Sequence, residues 1–163
     1  MLEFRVSGPF EVARTEARFQ IAAEYEGDAE PYMRRYGCYV YARRWRRRYV
    51  PIYVGKTMRT FSLEVFQPHK QDILTEQSES SRGALVIFLV YPTATRGKPP
   101  RRLVDNMETY LIQQAQTVNP DLCNERKLYR ANWTIAGVTT STGRGRPRTD
   151  DPTRDFRQMM LLG

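Results

Sequence analysis

The stretch Ala84–Tyr91, ALVIFLVY, constrains the fold more than any other part of the chain. It is far shorter than the ~20 residues that span a bilayer, and it is rich in β-branched and aromatic side chains. Such a run reads as a buried strand. A buried strand needs neighbours to pair with and a layer to cover it. Tyr36–Ala42 and Tyr49–Val54 have the same β-favouring character and flank an arginine-rich segment, so they read as a hairpin with charge at its tip. Leu103–Val118 is the clearest helix, and Asn119-Pro120 stops it. Met58–Leu74 reads as another helix, apolar at Phe61, Val65, Phe66, Ile73 and Leu74, which Pro68 should kink or divide. Glu76–Gly83 and Thr93–Pro100 read as loops.

The order hairpin, helix, strand, helix points to an α+β fold, a small antiparallel β-sheet (hairpin plus central strand) flanked by helices. Residues 1–34 read as an N-terminal extension of uncertain structure. Leu2, Phe4 and Val6 alternate as a strand and Gly8-Pro9 marks a turn, while Ala13–Tyr25 fits strand and helix equally well. The core is expected over 35–130. Residues 131–163 form a C-terminal extension, with a strand at Trp133–Val138, a polar basic loop at Thr139–Pro152 and helical potential at Arg154–Leu162. No internal repeat is visible. No apolar signal segment follows Met1, which favours an intracellular, cytoplasmic protein with no membrane partner.

Charge narrows the partner. Lys and Arg number 26 against 18 Asp and Glu, a net charge of +8. The excess is clustered: Arg43, Arg44, Arg46, Arg47 and Arg48 surround Trp45, Arg96, Lys98, Arg101 and Arg102 form a second run, and Arg144, Arg146 and Arg148 a third. Clustered arginines suit a phosphate-rich partner, because each neutralised phosphate releases counterions. The single histidine, His69, and two cysteines, Cys38 and Cys123, are too few for a thiolate and imidazole zinc cage. Any catalytic metal should therefore be a hard cation, Mg²⁺ or Mn²⁺, held by carboxylate, water and phosphate. Gly55-Lys56-Thr57 imitates the end of a phosphate-binding loop, but that motif needs a glycine where Val50 stands. Nucleotide hydrolysis by such a loop is excluded.

Glu108 is the most informative residue. At about 100° per helical residue it shares a face with Val104, Leu111, Ile112 and Ala115, where a carboxylate is costly unless it is paired or binds metal. Tyr39 and Tyr53 lie on opposite strands of the hairpin, where they can face one site or simply pack.

Taken together, these features resemble the GIY-YIG nuclease superfamily. Gly37-Cys38-Tyr39 corresponds to its Gly-x-Tyr and Tyr53-Val54-Gly55 to its Tyr-x-Gly, with Lys56 directly after. Glu108, within Asn106–Leu111, corresponds to the metal-binding glutamate, and Asn124, ending Asn119–Asn124, to the family's asparagine. The resemblance covers residues 36–125. It departs where the family has an arginine two turns into the helix after Tyr-x-Gly, since Leu63 stands there, with Gln67 one turn on. Either Arg59 or Lys70 substitutes, or the site is impaired.

The resemblance implies a metal-dependent endonuclease that hydrolyses DNA phosphodiesters. Glu108 would hold Mg²⁺ or Mn²⁺, and Tyr39 would orient or deprotonate water, its phenol lowered by cations such as Lys56. Tyr53 would hydrogen-bond the phosphate or the water. Lys56, with Arg59 or Lys70, would stabilise phosphoryl charge beside His69, and Asn124 would support the site. The arginines around Trp45 would grip DNA next to the cut, with Trp45 stacking or wedging. Arg144-Gly145-Arg146-Pro147 resembles an AT-hook core, although an ordinary basic loop fits it as well. The alternative is a nuclease-impaired module of the same fold that binds DNA or RNA without efficient cleavage. A generic basic interaction protein would leave the four motif features as coincidence. A separate recognition protein fits the absence of a recognition domain, and the chain is expected as a monomer or homodimer.

Overall fold

The computed structural model describes residues 3–16, 18–80, 82–93 and 100–125. The chain forms β1 (Phe4–Thr15), β2 (Arg18–Ile21), α1 (Ala23–Met33), β3 (Gly37–Trp45), β4 (Arg48–Thr57), α2 (Phe61–Glu64), α3 (Pro68–Ser80), β5 (Ala84–Pro92) and α4 (Arg101–Val118). This is an α+β fold. Its sheet has five strands in the order β2-β1-β5-β3-β4, and every pairing is antiparallel. The apolar run expected as a buried strand is thus the middle strand, with a neighbour on each edge.

Residues 1–34 contain more regular structure than their pattern revealed. β1 pairs with β5 along most of its length, from Phe4↔Pro92 to Val12↔Leu85. Gly8-Pro9, expected as a turn, is instead an irregularity inside β1, where the register slips between Ser7 and Phe10. A proline has no N–H to give the ladder, so it sits where pairing is interrupted. The ambiguous segment Ala13–Tyr25 contains both alternatives, strand up to Ile21 and helix from Ala23. Pro68 divides the expected Met58–Leu74 helix outright and opens α3, the position where a missing N–H is harmless. α3 then continues to Ser80, so most of the expected Glu76–Gly83 loop is helical.

Strand alternation assigns the two faces of the sheet. Tyr39, Tyr41, Ile87, Leu89, Phe10 and Val12 pack with Ala29 of α1, Phe61 and Val65 at α2, and Leu74 of α3. On the other face Cys38, Val54 and Val90 pack against Val104, Ile112 and Ala115, the apolar stripe of α4. Helices therefore cover both faces, which is why β5 can be apolar throughout.

All described residues fall in the unit Met1–Leu128; Tyr129–Gly163 forms a second unit. Arg96 and Lys98, and the strand expected at Trp133–Val138, the basic loop expected around Arg144, Arg146 and Arg148 and the helix expected at Arg154–Leu162, lie outside the described residues. Among the described residues no helix is long and apolar enough to cross a membrane.

Candidate functional site

β4 is an edge strand, with α3 packed on one side of the sheet and α4 on the other. Between them lies a cleft of about 860 Å³. Tyr53 and Lys56 of β4, His69, Ile73 and Glu76 of α3, Glu108 and Ile112 of α4, and Cys123, Asn124 and Glu125 line it. The segment after α4 is held to β4 by three residues: Asn119 Nδ2 donates to the Pro51 carbonyl at 2.7 Å and Cys123 N–H to that of Ile52 at 2.8 Å. Asn124 is buried, and its amide both accepts from Val54 N–H at 2.9 Å and donates to Val54 C=O at 2.7 Å. Both ends of that side chain are thus used on β4 backbone. Asn124 fixes the wall that carries Tyr53 and Gly55.

Two glycines of the hairpin stand where no side chain fits, Gly55 under the Tyr39 ring and Gly37 against the β5 backbone. Tyr39 pairs with Gly55 across the strands, and a Cβ at Gly55 would lie 2.3 Å from Tyr39 Cζ and 2.4 Å from its hydroxyl oxygen. Gly37 has φ +145°, and a Cβ there would meet the Val90 carbonyl oxygen at 2.2 Å. Both positions are closed to any side chain in this packing.

Two lysines organise this region, Lys56 on the cleft lining and Lys70 buried next to Tyr53. Lys56 Nζ lies 2.8 Å from Glu108 Oε2 and 2.6 Å from Asp105 Oδ1. Burial disfavours its charge, but the hydrogen bonds and charges of Asp105 and Glu108 outweigh that and raise its pKa. Behind Tyr53, Lys70 is only 4 % exposed and donates to the Tyr53 hydroxyl at 2.6 Å, with Nζ 4.4 Å from that ring's centroid. Burial lowers the pKa of Lys70, against the pull of Glu64 and Glu108. The Tyr53 phenol is pushed up to about 12, first by burial and then by the charges of Glu108, Glu64 and Glu125.

Tyr39 departs from the role expected for it. Its side chain is fully buried against Tyr41, Tyr53 and Phe61, it does not line the cleft, and its hydroxyl points at Glu64 Oε1, 3.5 Å away. Burial drives its phenol far up, with Tyr41, Tyr53 and Glu64 adding to the shift, whereas a base near neutral pH needs the opposite. No protein-family model, curated protein or solved structure matches this chain.

The choice between Arg59 and Lys70 is one of placement. Arg59 is exposed and does not line the cleft; Lys70 touches Tyr53. Leu63 is exposed and faces a separate groove with Phe19 and Phe66. His69 lines the cleft. Asp105, Glu64 and Glu125 were missed in the sequence. Asp105 precedes Glu108 by three residues on one helix, a spacing that places both on one face and so carried a signal.

Among the described residues no group of three or more His, Cys, Asp or Glu is arranged to hold a metal ion. Three carboxylates line the cleft, Glu76, Glu108 and Glu125, and of these Glu108 is the one paired with Lys56. That donor set fits a hard cation which keeps most of its shell as water and phosphate oxygen, as Mg²⁺ commonly does.

The arginine cluster divides in two. Arg43 Nη2 donates to the Gln77 carbonyl and, at 3.0 Å, to its side-chain oxygen; Arg44 Nη2 lies 2.6 Å from Glu11 Oε2. These two brace the sheet. Arg46 and Arg47 form the turn, Arg46 at φ 55°, and with Arg48 and Trp45 (47 % exposed) they project at the tip. From Arg48 to Lys56 the strand spans ~27 Å at ~3.4 Å per residue. On a duplex that is ~8 base pairs. The tip is therefore remote from the cleft, not beside it as expected.

Proposed function

We propose that this chain is a metal-dependent endonuclease of the GIY-YIG type that hydrolyses DNA phosphodiester bonds. The observation that supports it is the convergence of Tyr53, Lys56, His69 and Glu108, drawn from β4, α3 and α4, on one cleft, with Lys70 buried against the Tyr53 hydroxyl. Packing alone does not require two lysines, a phenol and a glutamate at a single sheet edge. Glu108 would hold Mg²⁺ or Mn²⁺, which when bound supplies Lewis-acid polarisation of the phosphoryl group.

The remaining roles belong to the chain's own residues. The Tyr53 oxygen accepts from Lys70, so its own O–H is free to donate a hydrogen bond to a phosphoryl oxygen, and its raised pKa keeps that proton on the phenol at neutral pH. Lys56 supplies positive charge at the cleft wall. His69, on the cleft lining, takes the proton of the attacking water. Tyr39 acts by position, its ring lying between Gly55 and Phe61 and supporting Tyr53. Arg46, Arg47 and Arg48 contact DNA phosphates several base steps away. A second reading, a nucleic-acid-binding module that cuts poorly, draws on Leu63, which brings no cation to the cleft.

A labelled-duplex cleavage assay in Mn²⁺ separates these roles. Tyr53→Phe and Lys70→Met should each slow cutting by about 10²-fold, the scale of losing one transition-state donor, and Arg59→Ala should stay within about threefold of wild type. Equal losses in all three would contradict the assignment.

A further inference from the structure

We infer that Asp105 is a positioning residue that receives Lys56 when Glu108 takes up a divalent cation; the inference rests on the metal reading above. The Lys56 ammonium stands between two carboxylates one helical turn apart on α4, at 2.6 Å from Asp105 and 2.8 Å from Glu108. An ammonium has three donors; here it hydrogen-bonds Glu108 and stands within ion-pair distance of Asp105. The two acids differ in setting. The Glu108 side chain is 13 % exposed and that of Asp105 37 %. A carboxylate that far from water needs a cation close by, and without metal Lys56 is that cation.

A divalent ion needs the same Glu108 oxygens, and an ammonium at hydrogen-bond distance would repel it. Lys56 must yield. Asp105 gives it an anchor already within bonding distance, so Nζ leaves Glu108 without losing all of its pairing. The other Asp105 oxygen lies 4.0 Å from Arg101 Nε, one helical turn back on α4, with Arg101 largely exposed. The exchange also keeps Lys56 at the cleft wall, where its charge faces an incoming phosphate.

The test is Mn²⁺ binding to the whole chain without DNA, followed by calorimetry and by the electron paramagnetic resonance of free Mn²⁺. Glu108→Gln should abolish binding. Asp105→Asn should weaken it about three- to fivefold, the upper part of the range for a partly exposed ion pair. In a Lys56→Gln background, Asp105→Asn should change affinity less than about twofold, since no ammonium remains to be moved. Equal loss in both backgrounds would mean that Asp105 ligates the ion or acts through its field, and would overturn the inference. No effect of Asp105→Asn on the wild type would overturn it as well. If wild type fails to bind Mn²⁺, or Glu108→Gln binds it equally well, the metal reading falls and the inference with it.

Discussion

Gly55→Ala tests the packing logic of the hairpin directly. The added Cβ would stand 2.3 Å from Tyr39 Cζ, 2.4 Å from its oxygen and 2.8 Å from Cε2. Ordinary contact is ~3.5–4.0 Å, so the ring would have to retreat by more than about 1 Å. It has nowhere to go: Tyr41 and Phe61 meet it edge-on at centroid distances of 5.6 and 6.4 Å, and all three side chains are fully buried. Overpacking of this kind costs about 1–3 kcal/mol, offset by about 0.4–1 kcal/mol from the stiffer unfolded chain. We expect a net loss of about 1–2 kcal/mol, read as a lower guanidinium midpoint with an unchanged slope. Tyr39→Leu supplies the control, because a leucine ends before all three colliding atoms. In that background Gly55→Ala should be neutral or stabilising, a coupling of at least about 1 kcal/mol. Additive costs, or a wild-type midpoint for Gly55→Ala alone, would refute the reasoning.

Replacing Arg46, Arg47 and Arg48 together by alanine should weaken duplex binding and flatten its log–log salt dependence by up to about 2.7 units, at ~0.9 per phosphate contact. Arg43→Ala or Arg44→Ala should leave that slope alone and lower stability instead; the reverse pattern would exchange the roles of tip and base. Alkaline pH should destabilise the fold. Tyr39, Tyr41 and Tyr53 are raised from 10.0 by burial, Tyr53 to about 12, so their contribution is complete below pH 10 and is lost as pH rises through the folded values. Lys70, lowered by burial, contributes in the opposite sense, its cost being relieved as pH rises through its lowered folded value, and offsets part of this. Denaturation midpoints from pH 8 to 11.5 should fall, and less steeply for Tyr41→Phe; a flat profile would contradict the burial argument.

Local pattern made some of this legible. The apolar run of β5, the β-rich arms of the hairpin and the 3.6-residue stripe of α4 each declare themselves within a few residues. The pairing of β1 with β5 does not. It joins residues some eighty positions apart, and half of β1 faces solvent, so its alternation is weak. α1 contains Gly27 and Pro31 and is a poor helix by propensity; burial of Ala29 and packing of Tyr25, Tyr32 and Met33 on the core hold it in place. α3 ends in Glu76–Ser80, too polar to show a stripe. At the site, Glu108 and Asn124 were legible as residues, but the burial of Lys70 was not, because lysines are rarely buried and only the fold brings Tyr53 to it. Arg43 and Arg44 look like their neighbours in sequence and differ only in having Gln77 and Glu11 within reach.

Supercoiled-plasmid nicking in Mg²⁺ or Mn²⁺, wild type beside Glu108→Gln, tests the central claim most directly. The account expects wild type to convert supercoiled to open-circular DNA and Glu108→Gln to do so at least about 10²-fold more slowly while binding DNA as well as before. Wild type that binds the plasmid in the same buffers without nicking it, or Glu108→Gln that nicks at the wild-type rate, would contradict it.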